Sequence, residues 1–151
     1  MVEKLVLAVT LCQPNETSKS VISNWLLLAK EKDFKQIFID TAEKTYTERK
    51  LKTYRPFYSI LSKLTEPKNL DRFIIQATAC LTHNALDEIS KIQCPTFVIG
   101  GDNDKIVGSS SSCELANHIA QSKLKIYNGL GHSTYEEAKD FNSQVLSFFD
   151  N

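Results

Sequence analysis

Two strand-like runs, Thr96-Phe97-Val98-Ile99-Gly100 and Leu124-Lys125-Ile126-Tyr127-Asn128, bracket a stretch of helical periodicity at residues 110–120, and this pattern constrains the chain most. An antiparallel return needs only a tight turn, whereas strand, helix and strand of this length form a parallel pair with a crossover between them. The helix is expected to turn Cys113, Leu115, Ala116 and Ile119 inward. A third run over residues 4–10, Lys4-Leu5-Val6-Leu7-Ala8-Val9-Thr10, is short, apolar and bounded by polar residues, and also reads as a buried strand. These runs predict three parallel strands in an α/β arrangement.

The long section between the first two strands reads as helical. Ser18 or Ser20 is placed to cap a first helix carrying Val21, Ile22, Trp25, Leu26, Leu28 and Ala29 on its apolar side. Asp33 is placed to cap a second, with Phe34, Ile37, Phe38 and Thr41 at three-to-four spacing. Pro56 and Pro67 punctuate the next stretch of chain. Residues 69–81 then form a helix with Leu70, Phe73, Ile74 and Ala77 on one face, before a short segment at residues 84–89. A final helix over residues 135–149 is expected to turn Ala138, Phe141, Val145, Phe148 and Phe149 toward the sheet.

Lysine plus arginine equals aspartate plus glutamate at 18 each, and no block of like charge occurs, so no nucleic-acid partner is expected. The apolar run after Glu3-Lys4 is too short for a membrane span and lacks the flanks of a signal peptide, so a cytoplasmic protein with no membrane association is expected. The four cysteines, Cys12, Cys80, Cys94 and Cys113, form no Cys-x-x-Cys pair and read as reduced, mostly packed thiols. His83, His118 and His132 show no zinc-like spacing, so neither a metal site nor a cofactor is expected. Trp25, Phe57, Tyr58 and Phe73 are candidates to line a cleft.

Two turns carry candidate chemistry. Gly100-Gly101-Asp102-Asn103-Asp104 follows the second strand, and Gly129-Leu130-Gly131-His132 follows the third, 28 residues later. Together with the Cys94-Pro95 entry to the second strand and Ile106-Val107, this segment resembles the C-terminal third of α/β-hydrolase enzymes. By that resemblance Asp104 is the acidic member of a catalytic triad and His132 its base, with Asp102 the competing acid. The resemblance makes residues 4–10 the family's sixth strand and residues 18–89 a helical lid inserted after it. It implies a partial α/β-hydrolase fold: one domain over residues 1–151, a lid-like insertion at 18–89, and a strand and helix portion at 90–151 ending in the C-terminal helix.

The family's nucleophile sits in Gly-x-Ser-x-Gly and precedes the acid and the base on the chain. No such elbow occurs in these 151 residues, so the resemblance places the nucleophile ahead of Met1. Ser109 to Ser112 and Ser133 are available serines, but the first group reads as the cap and first turn of a helix, and Ser133 merely adjoins His132. The implied activity is hydrolysis of an ester or related acyl bond in a small substrate, with this chain inactive by itself. The alternative is a non-catalytic module or remnant that pairs through its open sheet edge at residues 4–10, where a neighbouring strand is missing. The expected partner at that edge is a second copy of the chain or a separately encoded N-terminal half. A more remote alternative is an independent α/β binding domain whose helical section closes over the edge.

Overall fold

The computed structural model describes residues 2–150; Met1 and Asn151, the outer limits of the expected domain, lie outside the described residues. Strands β1 (Leu5–Ala8), β2 (Thr96–Gly101) and β3 (Ser122–Tyr127) form one parallel sheet in the order β1-β2-β3. Leu5 stands opposite Thr96 and Ala8 opposite Ile99, while Thr96 pairs with Ser122 and Gly101 with Tyr127. The central strand is buried at every residue, which is why its sequence is apolar without alternation. Successive side chains of β2 face opposite sides. Phe97 meets the ring of Phe148 at 5.4 Å between centroids, and Val98 packs on the other face with Cys12, Ile89, Leu115 and Ile119.

Between β1 and β2 the chain runs through α1 (Glu16–Lys30), α2 (Phe34–Thr45), α3 (Glu48–Tyr54), a 3-10 turn (Arg55–Phe57), α4 (Tyr58–Thr65), α5 (Asp71–Thr82) and α6 (Leu86–Ile89). Asp33 caps α2 as expected, accepting the Gln36 N–H at 3.0 Å. The cap of α1 is Asn15, not Ser18 or Ser20. Asn15 Oδ1 accepts the Ser18 N–H at 2.9 Å, and Ser18 Oγ accepts the Asn15 N–H at 3.0 Å. Ser18 thus occupies the third helical position of a reciprocal capping box. A second apolar cluster of Ala42, Leu51 and Tyr58, flanked by Phe38, Ile39, Tyr46 and Tyr54, holds α2, α3 and α4 together.

Helix α7 (Ser109–His118) connects β2 to β3 but does not start on a serine cap: Gly108 at φ 79° precedes it, and no side chain caps it. Its inner face is Ser111, Ser112, Leu115 and the adjoining Ile119, while Cys113 is exposed. The reason is close approach to the sheet. A Cβ on Gly100 would lie 2.3 Å from Ser112 Oγ, so only a small side chain fits between helix and strand.

The expected final helix is two pieces, α8 (Thr134–Glu137) and α9 (Phe141–Asp150), broken where Ala138 adopts an extended ψ of 118°. Phe149 is 47% exposed rather than buried. Of the cysteines, all free, only Cys12 is buried; Cys80 and Cys113 are exposed, against the expectation of packed thiols. Among the described residues no helix is long and apolar enough to cross a membrane.

Candidate active site

Because β2 and β3 are parallel neighbours, their C-terminal ends open at the same edge of the sheet, where α/β folds carry their sites. The turn after β2 and the turn after β3 therefore meet, although their key residues are 28 positions apart. His132 Nδ1 lies 2.9 Å from Asp104 Oδ2. The other carboxylate oxygen accepts the N–H groups of Ile106 at 2.8 Å and Val107 at 3.0 Å, which fixes the plane of the carboxylate facing the imidazole. Burial by itself would raise the Asp104 pKa, but the hydrogen bond and charge of His132, with the two backbone donors, outweigh it and hold the carboxyl below its ordinary value.

A carboxylate that accepts from Nδ1–H leaves Nε2 of the neutral ring with its lone pair free. The Asp104 side chain is 2% exposed and that of His132 is 24% exposed, so the acid is enclosed and the ring is accessible. His132 forms part of the wall of two cavities, of about 660 and 380 Å³. Trp25, Phe73 and Ile106 are shared by both walls. Tyr58 also faces the larger cavity, whereas Phe57 is 53% exposed and lines neither. Val9, on the wall of the smaller cavity, takes φ 45°, a conformation seldom adopted by a β-branched residue.

Backbone packing sets the histidine loop. A Cβ on Gly101 would lie 2.3 Å from Leu130 O and 2.7 Å from Gly131 O, so β2 approaches the loop more closely than any side chain allows. Asp102 has a different task from Asp104: its carboxylate accepts the Gly129 N–H at 2.7 Å, and Gly129 takes φ 74° in that turn. Asp102 therefore pins the loop, while Asp104 is the residue on the imidazole.

The loop is also tied to the helical insertion. Ser133 N–H donates to Thr45 O at 3.1 Å, and Ser133 Oγ donates to Glu137 Oε2 at 2.6 Å. Thr47 donates to the same carboxylate from its hydroxyl at 2.6 Å and from its N–H at 3.0 Å. Burial would raise the Glu137 pKa, but these three donors bring it below the ordinary value. Sequence reasoning passed over Glu137 and Thr47, and took Gly101 only as part of the turn after the second strand. The spacing of Ser133 and Glu137, four residues apart across one helical turn, was the available signal for the first.

The serines considered as nucleophiles are otherwise engaged or exposed. Ser111 Oγ donates to Val107 O at 2.6 Å, Ser112 is packed beneath Gly100, and Ser133 is held by Glu137. Among the described residues none is hydrogen-bonded to His132. His83 and His118 are exposed, and the ring of His118 is bonded to Glu114 O at 2.8 Å. Among the described residues no group of three or more His, Cys, Asp or Glu side chains converges as a metal site.

A family model described as serine aminopeptidase, S33, matches residues 5–139. A 2-hydroxy-6-oxononadienedioate/2-hydroxy-6-oxononatrienedioate hydrolase of Pseudomonas putida is 32% identical over 89 residues, 56% of this chain and 31% of its own length. A non-heme haloperoxidase of Rhodococcus erythropolis is 35% identical over 66 residues, 42% of this chain and 24% of its own. Among solved structures, an α/β hydrolase enzyme from a Medee basin deep-sea metagenome library superimposes with a TM-score of 0.88 at 23% identity, covering 100% of this chain and 57% of that one. The enol-lactonase of Burkholderia xenovorans gives 0.83 at 17% identity, covering 99% and 57%. The chain thus spans a little over half of these structures and about a third or less of these curated relatives.

Proposed function

Because the chain belongs to the α/β-hydrolase family described as serine aminopeptidase, S33, we propose that Asp104 and His132 are the acid and base of a triad that hydrolyses an ester or related acyl bond. The serine comes from a nucleophile elbow outside these 151 residues, and the 151 residues alone do not turn substrate over. The observation that carries this reading is the 2.9 Å contact between His132 Nδ1 and an enclosed, doubly anchored carboxylate, with the ring facing a cavity. In this mechanism the serine Oγ attacks the carbonyl carbon and its proton passes to His132 Nε2. The leaving group takes that proton as its bond to the acyl carbon breaks, and water, activated by the same nitrogen, then releases the acid. Asp104 holds the ring in place and stabilises its charged form. The curated relative named as a hydrolase supports hydrolytic chemistry in general.

The missing segment is proposed to join at β1, as an N-terminal half or, failing that, a second copy. Leu5-Val6-Leu7-Ala8 is apolar throughout yet only half-buried, and no strand among the described residues lies on its outer side. The same edge favours the second reading, a non-catalytic module that pairs there. The helices of residues 18–89 act as the lid in either case, and the cytoplasm is the proposed compartment.

The test is a chromogenic short-chain ester and a fluorophosphonate probe, applied to the 151-residue chain with and without the polypeptide encoded directly upstream of it. The expected result is no turnover or label for the chain alone, and turnover with an upstream Gly-x-Ser-x-Gly polypeptide that His132→Gln abolishes. Labelling of Ser109 to Ser112 or Ser133 would overturn the assignment of the nucleophile. An upstream sequence without an elbow would favour the non-catalytic module.

A further inference from the structure

We propose that the 660 Å³ cavity beside His132 binds an uncharged, ring-bearing apolar group of the substrate and excludes an ionised one; this deepens the hydrolase reading and rests on it. Aromatic side chains from six helices, among them Trp25, Phe38, Tyr54 and Phe73, converge on this space. No lysine, arginine, aspartate or glutamate lines it. Its volume is several times that of the roughly 150 Å³ apolar cavity that accommodates a benzene ring, and falls within the range of ligand sites.

Three polar groups of the wall are bonded to carboxylates outside it. Tyr58 OH donates to Glu43 at 3.0 Å and Tyr46 OH to Glu136 at 3.3 Å, so both rings offer carbon to the cavity. Trp25 Nε1 donates to Asp40 at 2.7 Å. Three cations on the lining segments are engaged with carboxylates as well: Lys44 with Asp40, Lys50 with Glu136, and Arg55 with Glu43 and Glu48. A carboxylate entering the cavity would leave its hydration shell and find no cation in the wall, whereas an aromatic ring finds edges and faces to pack against. The smaller cavity shares Trp25, Phe73, Ile106 and His132 with this one and adds Thr10, Gln76 and His83 to its own wall. The larger cavity is walled mainly by residues of the helical insertion, from Trp25 to Phe73, which places the ring-bearing group on that side of the imidazole.

The only tryptophan of the chain lines both cavities, so its emission reports occupancy without any turnover. The probes are 4-phenylbutan-2-one and 4-phenylbutanoate, which share ring and chain and differ in charge. The ketone is expected to shift Trp25 emission saturably, and the carboxylate to bind at least about a hundredfold more weakly. Ala42→Phe, which fills part of the chamber, is expected to weaken the ketone at least about tenfold while far-ultraviolet circular dichroism stays unchanged. Nuclear Overhauser contacts from the probe ring to the Ile37 and Ile106 methyl groups in the unaltered chain give the same answer should that variant not fold. Equal binding of the two probes, no response of Trp25 to the ketone, undiminished binding to a folded Ala42→Phe chain, or ring contacts elsewhere would each overturn the proposal. Saturable ketone binding together with a failed ester test would sink the hydrolase reading and leave the apolar site standing.

Discussion

Gly101→Ala should disrupt the candidate site without touching any of its functional side chains. The added Cβ would lie 2.3 Å from Leu130 O, 2.7 Å from Leu130 C and 2.7 Å from Gly131 O. All three are backbone atoms that no rotamer change can move aside. An ordinary contact begins near 3.4 Å, so strand and loop must separate by about 1 Å. His132 follows Gly131 directly, and its 2.9 Å bond to Asp104 would stretch past the hydrogen-bonding limit if the loop took up the whole displacement. Overpacking of this kind costs about 1–3 kcal/mol, read as a lower urea midpoint at unchanged denaturant dependence. Gly129→Ala is the control: nothing lies within 4 Å of its added Cβ, and only φ 74° opposes it, a cost of about 1 kcal/mol. A Gly101→Ala chain that unfolds at the same urea concentration as the unaltered one, or that is destabilised no more than Gly129→Ala, would show that strand and loop are not locked by this contact.

Asp104→Asn should flatten the acid side of the stability profile. A carboxyl whose folded pKa is depressed stabilises the fold above its unfolded value, near 4, and loses that contribution as pH falls through the folded value. Urea titrations from pH 7 downward should therefore show a shallower decline in the variant, and identical slopes would contradict the assignment. Glu137→Gln weakens the acceptor for three donors from Ser133 and Thr47 and should cost about 1–3 kcal/mol; hydrogen exchange at the Thr47 N–H should accelerate, and unchanged protection there would count against Glu137 as the tie between histidine loop and insertion. At pH 8, iodoacetamide should modify the exposed Cys80 and Cys113 well before Cys12, whose thiol is pushed up to about 11 by burial and by its bond to Glu114; mass spectrometry showing early modification of Cys12 would refute this.

The strands were legible because β1, β2 and β3 are short apolar runs between polar boundaries, and their parallel order follows from the helix that must connect the last two. The Asp104 and His132 turns were legible as ordered motifs at strand ends. What escaped was set by contacts between distant segments. The inward face of α7 is built partly of serines because Gly100 draws the helix to within a hydroxyl's breadth of β2, so reading apolarity alone rotated the helix toward Cys113. The break at Ala138 carries no proline or glycine to announce it, and α8 is anchored by Ser133 and Thr134, whose hydroxyls bond to Glu137 and Gly131 O. The apolar chamber draws on α1 to α5 and α8 together, and no single stretch of sequence contains it.

Everything catalytic proposed for this chain passes through the bond between His132 Nδ1 and Asp104. Proton nuclear magnetic resonance of the imidazole N–H region measures it directly. The expected spectrum holds a His132 Nδ1–H resonance well downfield of the amide envelope, lost in Asp104→Asn and in His132→Gln but retained in Asp102→Asn. A resonance that survives Asp104→Asn, or one that disappears only in Asp102→Asn, would contradict the pairing.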